Sequence, residues 1–267
     1  MRYGNSCFAA GLSLVCGGSP AMADCQTETV CSVTGGSGAD QFVVYRPFDS
    51  GLTQIRIAQC VSGAWIVQAA CDTSSGGILN EHILVEAGDG SDLVVVVSGA
   101  TSFTYMYQDC DGSQLPNGAE DWTTSPGDCT ITIRGEGGND ILYTTGVSAP
   151  VTTRMELWGG LGDDVLGSGD HDWDKMVGGA GTDTLVDLRG GDNDVLYGDA
   201  DCSSGPCDNT GAAIDCLVDL SGHSDFDCGP PNPPSPFQDL YRASSSGPTP
   251  ANCEDDSGCN WSFAWNP

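Results

Sequence analysis

One nine-residue pattern recurs along this chain: Gly, Gly, any residue, Gly, any residue, Asp, any residue, a large apolar residue, any residue. Residues 159–167 read GGLGDDVLG, with Asp164 sixth and Leu166 eighth. Residues 178–186 (GGAGTDTLV) put Asp183 and Leu185 in those places, and residues 135–143 (GEGGNDILY) put Asp140 and Leu142 there. Residues 169–177 (GDHDWDKMV) keep Asp174 and Met176 in register and abut the next copy, while residues 189–197 (RGGDNDVLY) supply Asp194 and Leu196. Two outlying copies, 35–43 and 87–95, carry Asp40 with Phe42 and Asp92 with Val94. Gly and Asp are common in any solvated turn. A turn by itself gives no reason for a large apolar residue two places after each Asp, so the shared register marks a stacked repeat.

Each copy has two physical parts. Its first six residues make a tight loop, in which glycine accepts positive φ and backbone carbonyls and Asp carboxylates can turn toward a cation. Its last three make a short strand whose central apolar side chain enters a core while its neighbours face outward. Such a copy cannot bury its apolar residue alone, so copies stack, with ions between successive turns. The spacing predicts an all-β chain: a parallel β-solenoid with Gly- and Asp-rich turns along its edges.

These residues resemble the RTX, or haemolysin-type, calcium-binding nonapeptide repeat, the β-roll family of secreted bacterial proteins. The resemblance is close over residues 135–197 and sporadic from 35 to 95. It implies calcium as the cofactor and the sixth-position Asp as its ligand: Asp140, Asp164, Asp174, Asp183 and Asp194, with Asp40 and Asp92 in the outlying copies. It also implies ligation by loop carbonyls, here those of Gly159, Gly160, Gly162, Gly178, Gly179 and Gly181, and by Asp residues elsewhere in the loops, here Asp170, Asp172 and Asp192. The copies are interrupted by Ser168, by Asp187 and Leu188, and by 15 residues between Tyr143 and Gly159. Some turns are therefore longer than nine residues, and an irregular β-helix with calcium at some corners fits better than an uninterrupted two-sheet roll.

Charge narrows the partners. The 37 acidic residues outnumber the 8 Lys and Arg, for a formal charge of −29. A nucleic-acid binder needs a basic stripe to displace counterions, and an anionic membrane repels such a surface. Among the acids, Asp greatly outnumbers Glu, an imbalance that general solubility does not require but compact oxygen ligation of a hard cation would use. Residues 1–23 hold Arg2, an apolar small-residue segment and a closing Ala-Met-Ala, which resembles a Sec signal peptide. No later stretch reaches the roughly 18 apolar residues of a membrane span. The mature chain is expected to be secreted, at the cell surface or in the periplasm. Its even set of cysteines predicts disulfides. Their connectivity is not deducible, although Cys202 with Cys207 and Cys253 with Cys259 could close small loops.

The expected organisation is a signal peptide (1–23), a β-rich N-terminal part of the solenoid (24–134), the RTX-like repeats (135–201) and a Cys- and Pro-rich cap or irregular tail (202–267). Strands are expected at 41–45, 53–60, 64–70, 82–86, 93–97 and 130–134, from their Val, Ile, Thr and aromatic runs. The pair 53–60 and 64–71 reads equally as a hairpin or as two faces of one turn. Trp261, Phe263 and Trp265 suit packing over the last apolar layer.

Catalytic signals are few. There is no H-E-x-x-H and no G-x-S-x-G, His82, His171 and His223 are scattered, and Lys175 is the single lysine. The reading is a non-enzymatic, calcium-binding solenoid with a structural, adhesive or surface-binding role, its calcium bridging to acidic glycans or other cell-surface components. The alternative is a calcium-dependent carbohydrate-active parallel β-helix enzyme, a polysaccharide lyase or epimerase, with Arg134, Arg154 and Lys175 as the groups to inspect. Basic and aromatic residues converging on one face would favour the enzyme. A face of Asp and Thr alone would favour the structural protein.

Overall fold

The computed structural model of the protein describes residues 30–45, 54–72, 82–97, 110, 130–145, 154–169, 174–187, 194–198, 215–219, 225–227, 240–243 and 254–255. All regular structure among them is β. In chain order the strands are β1 (Val30–Thr34), β2 (Gln41–Tyr45), β3 (Gln54–Val61), β4 (Ala64–Asp72), β5 (His82–Asp89), β6 (Leu93–Val97), β7 (Thr130–Gly137), β8 (Ile141–Thr145) and β9 (Arg154–Leu161). They continue with β10 (Val165–Ser168), β11 (Lys175–Ala180), β12 (Thr184–Asp187), β13 (Val195–Tyr197), β14 (Cys216–Asp219), β15 (Asp225–Asp227), β16 (Leu240–Ala243) and β17 (Glu254–Asp255).

These strands form two sheets. One has the order β1-β5-β7-β9-β11-β13-β15, and the other β17-β16-β14-β12-β10-β8-β6-β2-β3-β4. From β5 to β16 the chain alternates between them, and from β7 onward each new strand pairs in parallel with the previous strand of its own sheet. The exception is β2-β3-β4, which is antiparallel. The 53–60 and 64–71 segments are thus a hairpin, closed by the two-residue turn Ser62-Gly63 with both φ positive, at 54° and 81°. Two positive φ values are what the right-handed twist of a tight hairpin demands.

The core lies between the sheets. On the ten-stranded sheet, Phe42, Val94, Leu142, Leu166, Leu185 and Leu217 stand opposite one another in a single column. On the seven-stranded sheet the column is Val85, Ile133, Leu157, Met176 and Leu196. All are fully buried in one cluster, so every eighth-position apolar residue of the repeats is a core residue. Side chains of this size each contribute about 1.5–3 kcal/mol on burial.

The residues that interrupt the copies lengthen the coils, as expected: equivalent aspartates of successive coils stand 19 to 48 residues apart. Ser168 and Asp187 end strands β10 and β12, stand in register and are buried, with the Ser168 hydroxyl donating to Asp187 Oδ1 at 3.4 Å. One expectation needs correction. The segment after residue 202 was expected to be irregular, yet it contributes β14, β16 and β17 to one sheet and β15 to the other. Its short apolar runs were too brief to read as strands alone, and parallel pairing with the preceding coil recruits them. Disulfides join Cys31 of β1 to Cys71 of β4 and Cys60 of β3 to Cys110, and Cys216 is disulfide-bonded as well. The expected signal peptide, the 202–207 and 253–259 cysteine pairs and the Trp261, Phe263 and Trp265 group lie outside the described residues. No helix among the described residues is long and apolar enough to cross a membrane.

Candidate metal centre

Every sixth-position Asp immediately precedes a strand. Asp40, Asp92, Asp140, Asp164 and Asp183 introduce β2, β6, β8, β10 and β12 of the ten-stranded sheet, and Asp174 and Asp194 introduce β11 and β13 of the other. The location sets a hydrogen-bonding problem. Each Asp carbonyl begins the parallel ladder, so that Leu93, Ile141, Val165, Thr184 and Cys216 donate to Asp40, Asp92, Asp140, Asp164 and Asp183 at 2.8–2.9 Å. The Asp N–H groups are satisfied by side chains instead. Asp40 donates to Asp92 Oδ1 at 2.6 Å, and Asp92 to Asp140, Asp140 to Asp164, Asp164 to Asp183 and Asp183 to Asp215 all at 2.8 Å. On the seven-stranded sheet Asp174 donates to Asp194 Oδ1 at 2.7 Å, and Met155 to Asp174 Oδ1 at 3.2 Å.

These carboxylates are nearly inaccessible, with Asp92, Asp140, Asp164, Asp174, Asp183, Asp194 and Asp215 at most 2% exposed. Asp40, on the first coil, is only half-buried, and both its oxygens accept protein hydrogen bonds, from Gly36 N–H and Gln59 Nε2. The Oδ2 atoms of Asp92, Asp140 and Asp164 have no hydrogen-bond partner. What they face is visible at the first glycine of each repeat. A Cβ on Gly159 would collide with Asp164 Oδ2 and the Gly178 carbonyl, and one on Gly178 with Asp183 Oδ2 and the Gly198 carbonyl. Carboxylate and carbonyl oxygens therefore crowd the same small space. Gly160 and Gly179, next in the loop, have φ of 115° and 111°, and Gly162 and Gly181 have φ of 124° and 147°. A Cβ on Gly162 would also strike the Gly138 carbonyl.

Burial without compensation disfavours the charged form. It pushes the Asp164 carboxyl up from 3.8 to about 7 and that of Asp92 to about 6, and it raises Asp140 as well. The neighbouring charges of Asp140 and Asp163 add to the effect at Asp164.

The donor set is all oxygen and anionic, which suits a hard cation. The acids form lines rather than clusters, because parallel strands separate equivalent atoms by about 4.8 Å. Among the described residues no three His, Cys, Asp or Glu side chains converge to hold a metal. A cation here would take mostly backbone carbonyls beside each carboxylate, a mixture calcium accepts. Asp170, Asp172 and Asp192 lie outside the described residues.

Sequence reasoning missed Asp215, which extends the column. Its signal is weak: residues 210–218 (TGAAIDCLV) keep Asp215 and Leu217 in register but only one of the three glycines of the pattern. It also missed a second column in the fifth position, where Asp163 N–H donates to Asn139 Oδ1 at 3.1 Å and Thr182 N–H to Asp163 Oδ1 at 2.9 Å. This exposed column runs opposite to the buried one: here the later coil donates to the earlier. No protein-family model, curated protein or solved structure matches the chain.

Proposed function

We propose that this chain is a secreted, RTX-like calcium-binding β-solenoid with a structural, adhesive or surface-attaching role and no catalytic activity. The observation that carries this reading is the buried Asp column, with Oδ2 atoms at Asp92, Asp140 and Asp164 that lack any hydrogen-bond partner. An ionised carboxylate in that position needs a proton or a cation. Asp140, Asp164 and Asp183, with the carbonyls of Gly159, Gly178 and Gly198 beside them, would hold calcium between coils. Bound calcium would supply positive charge that joins coils of a chain carrying −29. Calcium ions near the surface would also bridge to acidic glycans or other anionic cell-surface components.

Calcium titration of the mature protein by calorimetry, alongside circular dichroism in chelator, tests the reading. Calcium is expected to raise the thermal midpoint. Asp164→Ala and Asp183→Ala are expected to weaken binding, and Asp239→Ala, outside the repeats, is not. Equal affinity in all three variants, or a midpoint indifferent to calcium and chelator, would count against it.

One observation favours the enzyme alternative: Arg134, Arg154 and Lys175 share the outer face of the seven-stranded sheet with Trp158 and Tyr197. Each cation there has a partner. Arg134 pairs with Glu86 at 3.6 Å and Arg154 with Glu156 at 2.9 Å, and Lys175 Nζ lies over the Trp158 and Tyr197 rings, 4.7 and 5.7 Å from their centroids. A proton-abstracting base would first have to leave these partners. Release of unsaturated uronate products, read by ultraviolet absorbance, would overturn the non-enzymatic reading.

A further inference from the structure

The outer face of the seven-stranded sheet carries an open hollow of about 300 Å³, lined by Arg134, Glu136, Trp158, Gly159 and Gly160. Register places it between adjacent strands, with Arg134 opposite Trp158 and Glu136 opposite Gly160 on β7 and β9. Lys175 approaches Trp158 from β11, on the side away from β7. The Trp158 indole N–H has no hydrogen-bond partner.

Glu136 is the anomaly. It stands in a row with Gly88, Gly160 and Gly179, the second residue of successive repeats. Those glycines have φ of 103°, 115° and 111°, and Glu136 has φ of 75°. A side chain in left-handed backbone is sterically disfavoured, and such outliers gather where a binding site needs the side chain. The turn itself has no use for a carboxylate there, since glycine serves every neighbouring coil. The Glu136 side chain lines the hollow.

We propose that this hollow binds a neutral hexose-based glycan, its ring packed on Trp158 and its hydroxyls bonded by the Arg134 guanidinium and the Glu136 carboxylate. An aromatic shelf with a few convergent polar groups is the general form of a small-molecule site. On this face Arg134, Arg154 and Lys175 are balanced by Glu86, Glu136 and Glu156, so the hollow offers no net attraction to an anion. A protein of charge −29 repels a polyanion at long range. A neutral chain meets neither penalty, and its hydroxyls use donor and acceptor together. This site uses none of the Asp carboxylates; it shares Gly159 with the proposed calcium loops, so binding is measured in calcium.

The test is calorimetric titration of the mature full chain, in calcium, with linear β-linked hexamers of glucose, mannose and galactose and with a galacturonate hexamer. At least one neutral hexamer is expected to bind. Glu136→Gly, which restores the residue of the neighbouring coils, should weaken that binding about tenfold or more while leaving the melting temperature equal or higher. Trp158→Ala should abolish it. Should Trp158→Ala fold poorly, Glu136→Gly still decides the matter. Absence of binding by every neutral hexamer, binding of galacturonate alone, or unchanged affinity in Glu136→Gly would overturn the proposal.

Discussion

A sixth-position aspartate does two jobs with two oxygens, and substitutions can separate them. Asp164 Oδ1 accepts the Asp140 N–H, whereas its Oδ2 lies beside the Gly178 carbonyl. Asp164→Asn keeps the acceptor, removes the buried charge and turns an N–H₂ donor toward that carbonyl. In chelator this variant is expected to be at least as stable as the parent. Asp164→Ala instead leaves the Asp140 N–H without its acceptor, at a cost of about 1–3 kcal/mol. Both should bind calcium more weakly. Urea midpoints in chelator check the order, and an Asn variant less stable than the Ala variant would contradict this division of roles.

At the scale of the turn, glycine matters where one coil's backbone lies against the next. Gly162 has φ of 124°, and its Cα faces the Gly138 carbonyl so closely that a Cβ would collide with it. Gly38 holds the same place in the first copy, but a Cβ there would meet nothing within 4 Å. Gly162→Ala is therefore expected to lower stability by about 1–3 kcal/mol through backbone strain, with displacement of the stacked carbonyl as a further cost. Gly38→Ala should be nearly neutral. Thermal melts of the two variants measure the difference, and equal losses would show that stacking between coils is not what requires glycine. A strand-level counterpart is Leu166→Ala, which opens the fully buried apolar column and should cost about 2–5 kcal/mol.

For the whole molecule, the buried columns invert the usual acid response. Asp92 and Asp164 have carboxyls raised from 3.8 to about 6 and about 7, so between those values the native state holds more protons than the unfolded chain. Stability then falls as pH rises from about 4 to about 7, because ionisation is easier after unfolding. Repulsion within a chain of formal charge −29 acts in the same direction. Calcium bound to the ionised form should offset this fall and flatten the profile. Melting temperatures in chelator are expected to decline across that window and to recover with calcium. A midpoint that rises from pH 4 to pH 7 in chelator would show that these carboxyls are not held protonated by the fold.

The nine-residue register was legible from the sequence because it is local: an Asp before each strand and an apolar residue two places later identify turn and core within a single copy. The strands at 41–45, 82–86 and 93–97 could be read for the same reason, from side-chain type alone. Tertiary structure decided what stacks on what. Successive Asp residues of the buried column are separated by 48, 24, 19 and 32 residues from Asp92 to Asp215, and no fixed period connects them. Only pairing between coils brings them into line. The same holds for the alternation of copies 169–177 and 178–186 between the two sheets, for Asp215 with a single glycine in its copy, and for the meeting of Arg134, Glu136 and Trp158. A parallel sheet aligns residues according to hydrogen bonds between distant segments, and the intervening chain can vary in length without altering that alignment.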